Sequence, residues 1–184
     1  MKTLAATVEA VCLSTPGVRV AKTPQDEAFL GPYGFAGDRH EAEYRLRPYS
    51  GGHVANKRQW SAVSTGEVEA VCADLGVRPF AIGALGENLR LCGVILADLP
   101  AGTALEFPSG ARALVSGKNE PCVAAANELM KTYGGHVGIG FVKTAFGRRG
   151  ILGTVLEPGL IRPRDSVRIL VPEQGDLIES VRTP

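Results

Sequence analysis

The residue best placed to do chemistry in this chain is Cys122, which follows Pro121 and precedes an alanine-rich segment. Residues 123–130 combine good helix formers with an apolar pattern, so they predict a helix. Asn119 or Glu120 is the predicted N-cap. Proline is favoured in a first helical turn because its missing N–H would be unpaired there anyway, so Cys122 is predicted to lie in that turn.

A thiol in the first turn of a helix is favoured in its thiolate form, because free N–H groups and the positive end of the helix dipole lie close to it. Lys118 could add a further cation. A thiolate attacks sulfur or carbon and binds soft metals. Cys122 is therefore a candidate nucleophile or metal ligand, and the alternative is a buried structural cysteine.

The other three cysteines, Cys12, Cys72 and Cys92, each lie in an apolar run and are predicted to be core residues. No two of the four cysteines have C-x-x-C spacing, which argues against a zinc ribbon or a thioredoxin-like site. The N-terminal residues lack the long apolar stretch of a secretion signal. We therefore expect a cytoplasmic protein without a disulfide framework.

The composition is that of an ordinary globular protein, with 184 residues, 45% of them hydrophobic and 21% charged. This length suits one well-cored domain over residues 1–184, with the motifs between about 8 and 170 and a loosely held tail after residue 172. A net charge of +1 argues against nucleic acid as a partner. No apolar run approaches the roughly 18 residues of a membrane span, so no membrane association is expected.

Short apolar segments separated by glycine and proline predict mainly strands. Predicted strands cover residues 8–13, 60–64, 88–91, 94–96, 103–107, 111–116, 137–144, 151–156 and 166–170, with 17–22 as a further candidate. A helix is predicted over residues 65–76, whereas 23–37 and 46–56 are predicted loops. Strands at this spacing, with 23 glycines for tight turns, predict a mainly β fold: a closed or partly closed β-barrel with a few short helices.

Three segments carry most of the recognisable pattern, namely Gly34-Phe35-Ala36-Gly37-Asp38-Arg39-His40, Leu85-Gly86-Glu87-Asn88-Leu89 and Glu120-Pro121-Cys122. In this order and at this separation they resemble the MOSC family, which is named after the C-terminal domain of molybdenum cofactor sulfurase. Residues 58–63, followed by Glu67, and residues 147–159 extend the resemblance, which covers about residues 8–170. Each motif is weak alone, but the ordered set is specific.

The resemblance implies a strand-rich barrel with a few helices. Members of the family are thought to carry sulfur on the motif cysteine or to hold the molybdenum-pterin cofactor, and in some of them the cysteine ligates molybdenum. Bacterial stand-alone members are associated with N-hydroxylated bases and other reducible substrates. Carried over to this chain, the family cysteine is Cys122.

The chain departs from the family pattern in two places. Family members commonly have an arginine close before Pro-Cys, where this chain has Asn119-Glu120. After the late turn they often have Gly-Asp, where this chain has Arg164-Asp165. The first departure changes the charge pattern before the cysteine, which bears on how an anion would be bound.

The predicted site has Cys122 as its catalytic residue and, if molybdenum is bound, as its metal ligand. Loops at one end of a barrel commonly build a site, so we expect the motif segments to line one pocket. The candidate substrate- or cofactor-binding residues are Gly37, Asp38, Arg39, His40, Arg58, Glu87, Asn88, Lys118 and Asn119. The alternatives are a tight turn for residues 34–40, a turn-shaping role for Asn88 and a surface salt bridge for Arg58. His53 and His136 are candidate acids or bases, or simply exposed.

Three functions are consistent with this sequence. In the first, the Cys122 thiolate accepts sulfane sulfur as a persulfide and passes it to an acceptor held by basic residues such as Arg39, Arg58 and Lys118. Such a sulfurtransferase-like enzyme would have a sulfur donor protein or a small-molecule acceptor as its partner. In the second, the barrel binds the molybdenum-pterin cofactor with Cys122 as a soft ligand, giving a cofactor-dependent activity. In the third, the chain is an interaction domain with an inactive site.

Overall fold

Short strands dominate the structure, a computed structural model that describes residues 2–47 and 51–173. In chain order the strands are β1 (Lys2–Ser14), β2 (Lys22–Gln25), β3 (Ala28–Gly31), β4 (Gly34–Phe35), β5 (Tyr44–Leu46), β6 (His53–Ala55), β7 (Trp60–Ser64), β8 (Leu89–Cys92), β9 (Ala104–Glu106), β10 (Arg112–Lys118), β11 (Ile151–Glu157), β12 (Gly159–Ile161) and β13 (Ser166–Val171). The helices are α1 (Thr65–Asp74), α2 (Val123–Tyr133) and α3 (Gly135–Thr144). At ten or eleven residues each, these helices are too short to cross a membrane. Of the tail predicted after residue 172, residues 174–184 lie outside the described part.

Seven strands close into a barrel, which confirms the predicted fold class. They pair in the order β13, β9, β10, β11, β7, β8 and β1, and β1 pairs again with β13 to complete the ring. Among the described strands only β7 and β8 pair in parallel, and α1 lies between them along the chain. β2 extends the sheet beyond β1, while β12, β3 and β4 form a second small sheet and β5 pairs with β6.

The long first strand shows why the sequence forms a barrel wall. Ala6, Val8 and Ala10 are buried, whereas Thr7 and Glu9 between them are exposed. This alternation places one face of the strand on the barrel interior and the other in water. A bulge between Val8 and Ala10 then shifts the register against β8, so that β1 can pair with several neighbouring strands around the barrel.

Two apolar clusters form the core, one inside the barrel and one under the helices. In the second cluster the Phe80 ring meets Tyr133 and Phe141 edge-on, with ring centroids 4.9 and 6.0 Å apart. Leu129 of α2 is buried in the same cluster. This packing fixes α2, and so fixes the position of Cys122 at its N-terminal end.

The strand predicted over residues 137–144 was wrong, because this segment forms α3. Val137 and Phe141, one helical turn apart, are both fully buried in the second apolar cluster. Gly138 lets α3 approach α2 closely, since a Cβ there would come within 3.1 Å of Met130. Packing between α2 and α3 therefore determines that this segment is helical. The local sequence pattern does not show these contacts.

The strand predicted over residues 94–96 was also wrong. The backbone N–H groups of Leu96 and Ala97 donate to the Glu67 carboxylate at 2.9 and 3.0 Å. The buried Glu67 side chain at the start of α1 thus accepts the hydrogen bonds that a neighbouring strand would otherwise accept.

Some segments predicted as loops contain strands. Residues 23–37 hold most of β2 together with β3 and β4, and residues 46–56 hold β6. Residues 48–50 of that second segment lie outside the described part. Of the candidate strand at 17–22, only Lys22 belongs to a strand. Proline and glycine in these segments mark the turns between short strands rather than one continuous loop.

Candidate functional site

Cys122 is the N-cap residue of α2, and its side chain is exposed. Its backbone is extended, with φ −129° and ψ 158°, and the Ala126 N–H donates to its carbonyl at 3.1 Å to close the first turn. The thiol makes no capping hydrogen bond. It therefore lies beside the start of the helix without using the first N–H groups, which have no partner within a helix.

The helix begins later than predicted, so the assignment of Asn119 or Glu120 as its N-cap was wrong. Lys118 still pairs with Ile151, and the Asn119 N–H donates to the Gly150 carbonyl at 2.9 Å, which continues the ladder between β10 and β11. A proline also disfavours helical backbone in the residue before it. Both effects keep the chain extended up to the cysteine.

Two arginines, Arg58 and Arg149, lie close enough to Cys122 to respond to its charge. Burial lowers the pKa of both guanidinium groups, that of Arg149 to about 10, and the negative charge of the Cys122 thiolate opposes this change in each. Arg149 is only 3% exposed, and Arg58 is half-buried. Neither guanidinium has a carboxylate within ion-pair distance among the described residues.

Buried polar atoms without hydrogen-bond partners concentrate around this cysteine. In the described part of the chain seven buried side-chain nitrogen or oxygen atoms lack a partner, and five of them belong to Arg58, Glu87, Asn119 and Arg149. Buried polar groups are nearly always paired in native proteins, so such a concentration points to a bound ligand or to ordered water. We use the term Cys122 cluster for Arg58, Glu87, Asn119, Cys122 and Arg149.

Asp38 anchors a second polar group beside this cluster. The Lys22 Nζ lies 3.0 Å from Oδ1 and 2.9 Å from Oδ2 of Asp38, and both side chains are fully buried. The backbone N–H and the hydroxyl of Ser14 donate to the same carboxylate at 3.0 and 2.9 Å. Burial alone would raise the pKa of Asp38, but its bonds to His40 and to Lys22 outweigh burial and hold that pKa well below its usual range.

His40 joins the Asp38 group, with Nδ1 3.2 Å from Oδ1 of the carboxylate. The bond to Asp38 favours the charged ring, but burial and the cations Lys22 and Arg58 together lower the pKa of His40. Arg58 thus acts electrostatically on both His40 and Cys122 and links the two groups. The other two histidines, His53 and His136, are exposed.

Asn88, a predicted ligand contact, holds the barrel wall together instead. Its Oδ1 accepts the Ser61 N–H at 3.2 Å, and its Nδ2 donates to the Cys12 carbonyl at 3.2 Å. The side chain is fully buried, so its amide joins β1 to β7 and offers no exposed atom to a ligand. The neighbouring Glu87 is also fully buried, but only its Oε1 is bonded, to Arg90 among others, while Oε2 has no partner.

Arg39, predicted to hold an acceptor, secures the preceding loop. Its Nε donates to the Ser14 hydroxyl at 2.8 Å, and its terminal nitrogens donate to the backbone carbonyls of residues 18–21. Gly37 has a φ of 77° and forms the tight turn that was the alternative for this segment. Lys118 is exposed at the end of β10, next to the buried Asn119.

Two cations of the site, Lys22 and Arg149, were missing from the sequence prediction. The pair Arg148-Arg149 was a signal, because two adjacent cations lie in the turn just before β11 and one of them can face inward. The sequence does not tell which one. The structure buries Arg149. The next residue, Gly150, accepts the backbone N–H of Asn119, so Arg149 brings a cation close to the segment where the family commonly has an arginine.

The Cys122 cluster can hold an anion and a soft metal. Guanidinium groups bind oxyanions through charge-assisted hydrogen bonds, and the unpaired amide nitrogen of Asn119 adds another donor. The thiolate is a soft ligand and a strong nucleophile. These residues therefore fit a sulfur-containing anion, and they equally fit a molybdenum-pterin cofactor with a phosphate group.

A cavity of about 600 Å³ lies elsewhere, between the start of α1 and the segment 93–97. Its lining is mainly apolar and includes no residue of the Cys122 cluster. This cavity and the Cys122 cluster are therefore separate candidate sites.

Comparison with known proteins gives consistent matches. The MOSC domain matches residues 50–168. YuaD from Bacillus subtilis (strain 168), whose name refers to metal-sulfur cluster biosynthesis, is 32% identical over 145 residues, covering 74% of this chain and 76% of that protein. The crystal structure of YuaD aligns with a TM-score of 0.89 at 26% identity, covering 94% of this chain and 99% of that one. YiiM from Geobacillus stearothermophilus aligns with a TM-score of 0.65 at 20% identity, covering 92% and 76%, and at that identity the likeness concerns the fold alone.

Proposed function

The chain belongs to the MOSC domain family, and from that premise we propose that it handles sulfur, with Cys122 carrying sulfane sulfur as a persulfide. The family and the name of YuaD support a role related to sulfur or to the molybdenum cofactor. One observation carries the finer proposal: an exposed thiol at the start of α2 lies beside two guanidinium groups that lack carboxylate partners in the described chain. The thiolate is the nucleophilic form of a cysteine, and the two cations would attract an anionic donor or acceptor.

Loading begins when the thiolate attacks the outer sulfur of a persulfide donor. A new S–S bond forms on Cys122 and the S–S bond of the donor breaks, with its electron pair leaving on the inner sulfur as a thiolate. The transferred sulfur keeps its proton. The free N–H groups at the start of α2 and the nearby cations stabilise negative charge on the attacking and carried sulfur.

In unloading, Cys122 becomes the leaving group, and no redox co-reactant is needed. An acceptor thiolate, or another anion with affinity for sulfur, attacks the outer sulfur of the Cys122 persulfide. The acceptor gains the sulfur, and Cys122 returns to its thiolate. Arg58 and Arg149 are positioned to attract an anionic acceptor, whereas Arg39 is already bonded to backbone carbonyls. The partner in this scheme is a sulfur donor protein or a small-molecule acceptor.

Mass mapping of a loaded protein tests the proposal. The purified protein is incubated with inorganic polysulfide, blocked with an alkylating reagent and digested. The Cys122 peptide should gain one sulfur atom, and treatment of the loaded protein with cyanide before alkylation should remove that sulfur as thiocyanate. A Cys92→Ser variant is the matched control, because Cys92 is only half-buried and removing it should leave loading unchanged. Absence of sulfur on Cys122 under these conditions would contradict the proposal.

The unpaired donors of the Cys122 cluster favour a second candidate function, binding of the molybdenum-pterin cofactor. Cys122 would ligate molybdenum, while Arg58, Arg149 and Asn119 would hold the phosphate group. When bound, this cofactor would supply two-electron redox chemistry, as with reducible N-hydroxylated substrates. Elemental analysis of the purified protein separates the candidates: molybdenum in a one-to-one ratio that is lost in Cys122→Ser supports the cofactor, and a metal-free persulfide supports sulfur transfer.

A further inference from the structure

The two arginines of the Cys122 cluster lack an ion-pair partner among the described residues, and Glu87, whose charge favours the charged form of Arg149, is itself bonded to Arg90. The two buried carboxylates of this region, Asp38 and Glu87, already have ion-pair partners at 2.9 Å. Arg58 and Arg149 remain, and no carboxylate of the described residues lies within ion-pair distance of either. An unpaired buried cation is unfavourable, so this arrangement calls for an anion from outside the chain.

The unpaired nitrogens specify what kind of anion would fit. Nε and Nη1 of Arg149, Nε of Arg58 and Nδ2 of Asn119 are buried donors that have no acceptor within the described part of the chain. Only Nη2 of Arg149 is bonded, to the Leu85 carbonyl. The backbone N–H of Asn119 donates to the carbonyl of Gly150, the residue after Arg149. This bond brings Asn119 and Arg149 close together at the ends of β10 and β11. A tetrahedral oxyanion offers several acceptor oxygens to such a set, whereas a single sulfur atom does not.

We infer that Cys122 takes its sulfur from a thiosulfonate, of which inorganic thiosulfate is the simplest member. The inference rests on the proposed sulfur loading of Cys122 and adds the chemical class of the donor. The nucleophile and the oxyanion donors lie in one cluster, so the sulfonate group would be held by Arg58, Arg149 and Asn119 while its sulfane sulfur faces the thiolate.

The step balances without another reactant. The Cys122 thiolate attacks the sulfane sulfur of thiosulfate and forms an S–S bond, the S–S bond of thiosulfate breaks, and its electron pair leaves with sulfite. The products are a Cys122 persulfide anion and a sulfite dianion, so total charge is conserved. Negative charge grows on the departing sulfite, and guanidinium groups fixed beside it would stabilise that charge as it develops.

The two guanidinium groups also solve an electrostatic problem of this reaction. A thiolate and a thiosulfate dianion repel each other strongly in a site of low polarity. Two guanidinium groups without an ion-pair partner among the described residues offset that repulsion. A donor without an oxyanion group, such as a short polysulfide, would need them less, and that difference provides a test.

The test compares two donors on three variants and the unmodified protein. Arg149→Met and Arg58→Met each remove one cation while keeping a long side chain. Arg148→Met is the matched control, because Arg148 is the adjacent arginine and is paired with Asp74 at 2.8 Å. Persulfide formation on Cys122 is followed by peptide mass spectrometry with thiosulfate or with inorganic polysulfide, and thermal melting checks that each variant folds. Using two cluster arginines keeps the test decisive if one variant fails to fold.

We expect thiosulfate to load the unmodified protein and Arg148→Met at the same rate and to release sulfite. Arg149→Met and Arg58→Met should load roughly tenfold more slowly or worse, the loss of one charge-assisted hydrogen bond, while polysulfide loading changes little. Sulfate should compete with thiosulfate and not with polysulfide.

Four outcomes would overturn the inference. Loading by polysulfide without loading by thiosulfate refutes the donor class and leaves the proposed function intact. Equal thiosulfate rates in all variants refute the role of the two arginines. Binding of inorganic phosphate to the cluster without any loading by thiosulfate identifies it as a phosphate site. Failure of both donors refutes the proposed function as well.

Discussion

The barrel wall and the Cys122 cluster both bury polar side chains, but they treat them differently. In the wall, Asn88 bonds backbone groups of β1 and β7 through both ends of its amide. In the cluster, Asn119 is equally buried, at 3% exposure, and its amide nitrogen has no partner. The same residue type therefore serves the fold in one region and remains free for a ligand in the other.

The cysteines repeat this contrast. Cys12 lies in the wall, fully buried, where burial and the nearby Glu87 raise the pKa of its thiol to about 12. Cys122 is exposed at a helix N-terminus near two guanidinium groups. The two thiols therefore have different surroundings, and the reactivity of a thiol depends on its surroundings.

The largest expected effect is the loss of sulfur loading in Cys122→Ser. A serine hydroxyl is a poor nucleophile at neutral pH, so no persulfide should form on this variant. Because the side chain is exposed, the free energy of unfolding should change by no more than about 0.5 kcal/mol. Cys12→Ser should show the opposite: normal loading but a loss of about 1–3 kcal/mol in stability, from burying a hydroxyl. Urea unfolding and peptide mass mapping measure both, and sulfur on Cys12 of the folded protein would break the contrast.

The Asp38 group should give the largest change in stability. Asp38→Asn leaves Lys22 buried without its counter-ion, which we expect to cost about 3–5 kcal/mol in urea unfolding. Because folding lowers the pKa of Asp38, this group stabilises the protein above the ordinary carboxyl pKa of about 4, and the stabilisation is lost as the pH falls further.

Two measurements complete that prediction. The unmodified protein should lose stability steeply below about pH 4, and Asp38→Asn should lose less over the same range. Asp74→Asn is the control, because its salt bridge to Arg148 is exposed and should contribute about 1 kcal/mol at most. Equal losses in the two variants at neutral pH would show that the buried pair is unimportant.

The two asparagines test the contrast directly. Asn88→Ala removes an amide that bonds two strands and should destabilise the protein by about 2–3 kcal/mol. Asn119→Ala removes an unpaired amide nitrogen and should cost less than about 1 kcal/mol, while slowing thiosulfate loading. Chemical denaturation and loading rates provide the measurements. If Asn119→Ala were the more destabilising change, the amide would have a structural role after all.

The smallest effect is expected at Arg164, on the barrel side. Among the described residues it is the one non-glycine residue with a positive φ, 74°, and the family often has glycine at this turn. Arg164→Gly should remove that strain and raise the free energy of unfolding by about 0.5–1 kcal/mol. Its N–H bond to the Val8 carbonyl at 2.7 Å does not depend on the side chain. Thermal unfolding measures the gain, and unchanged sulfur loading would confirm that this turn is independent of the site.

Local pattern determined a large part of the fold. The strand at 60–64 and the helix over 65–76 were predictable because the apolar spacing and the glycine at the end of the helix act within a few residues. Many short strands between glycine turns predicted a barrel, and the chain closes one. The position of Cys122 near a helix start followed from Pro121 and the helix formers after it.

Only the tertiary structure decided which polar residues face one another. Adjacent arginines 148 and 149 are indistinguishable in sequence, and the turn before β11 buries just the second. Asn88 precedes β8 and Asn119 follows β10. The Asn88 amide has backbone partners, whereas the Asn119 amide nitrogen has none among the described residues. Residues 137–144 form a helix because Val137 and Phe141 pack with residues of α2 in the second apolar cluster. The burial and the hydrogen-bond partners of a side chain depend on groups far apart in the chain, so the local sequence pattern does not reveal them.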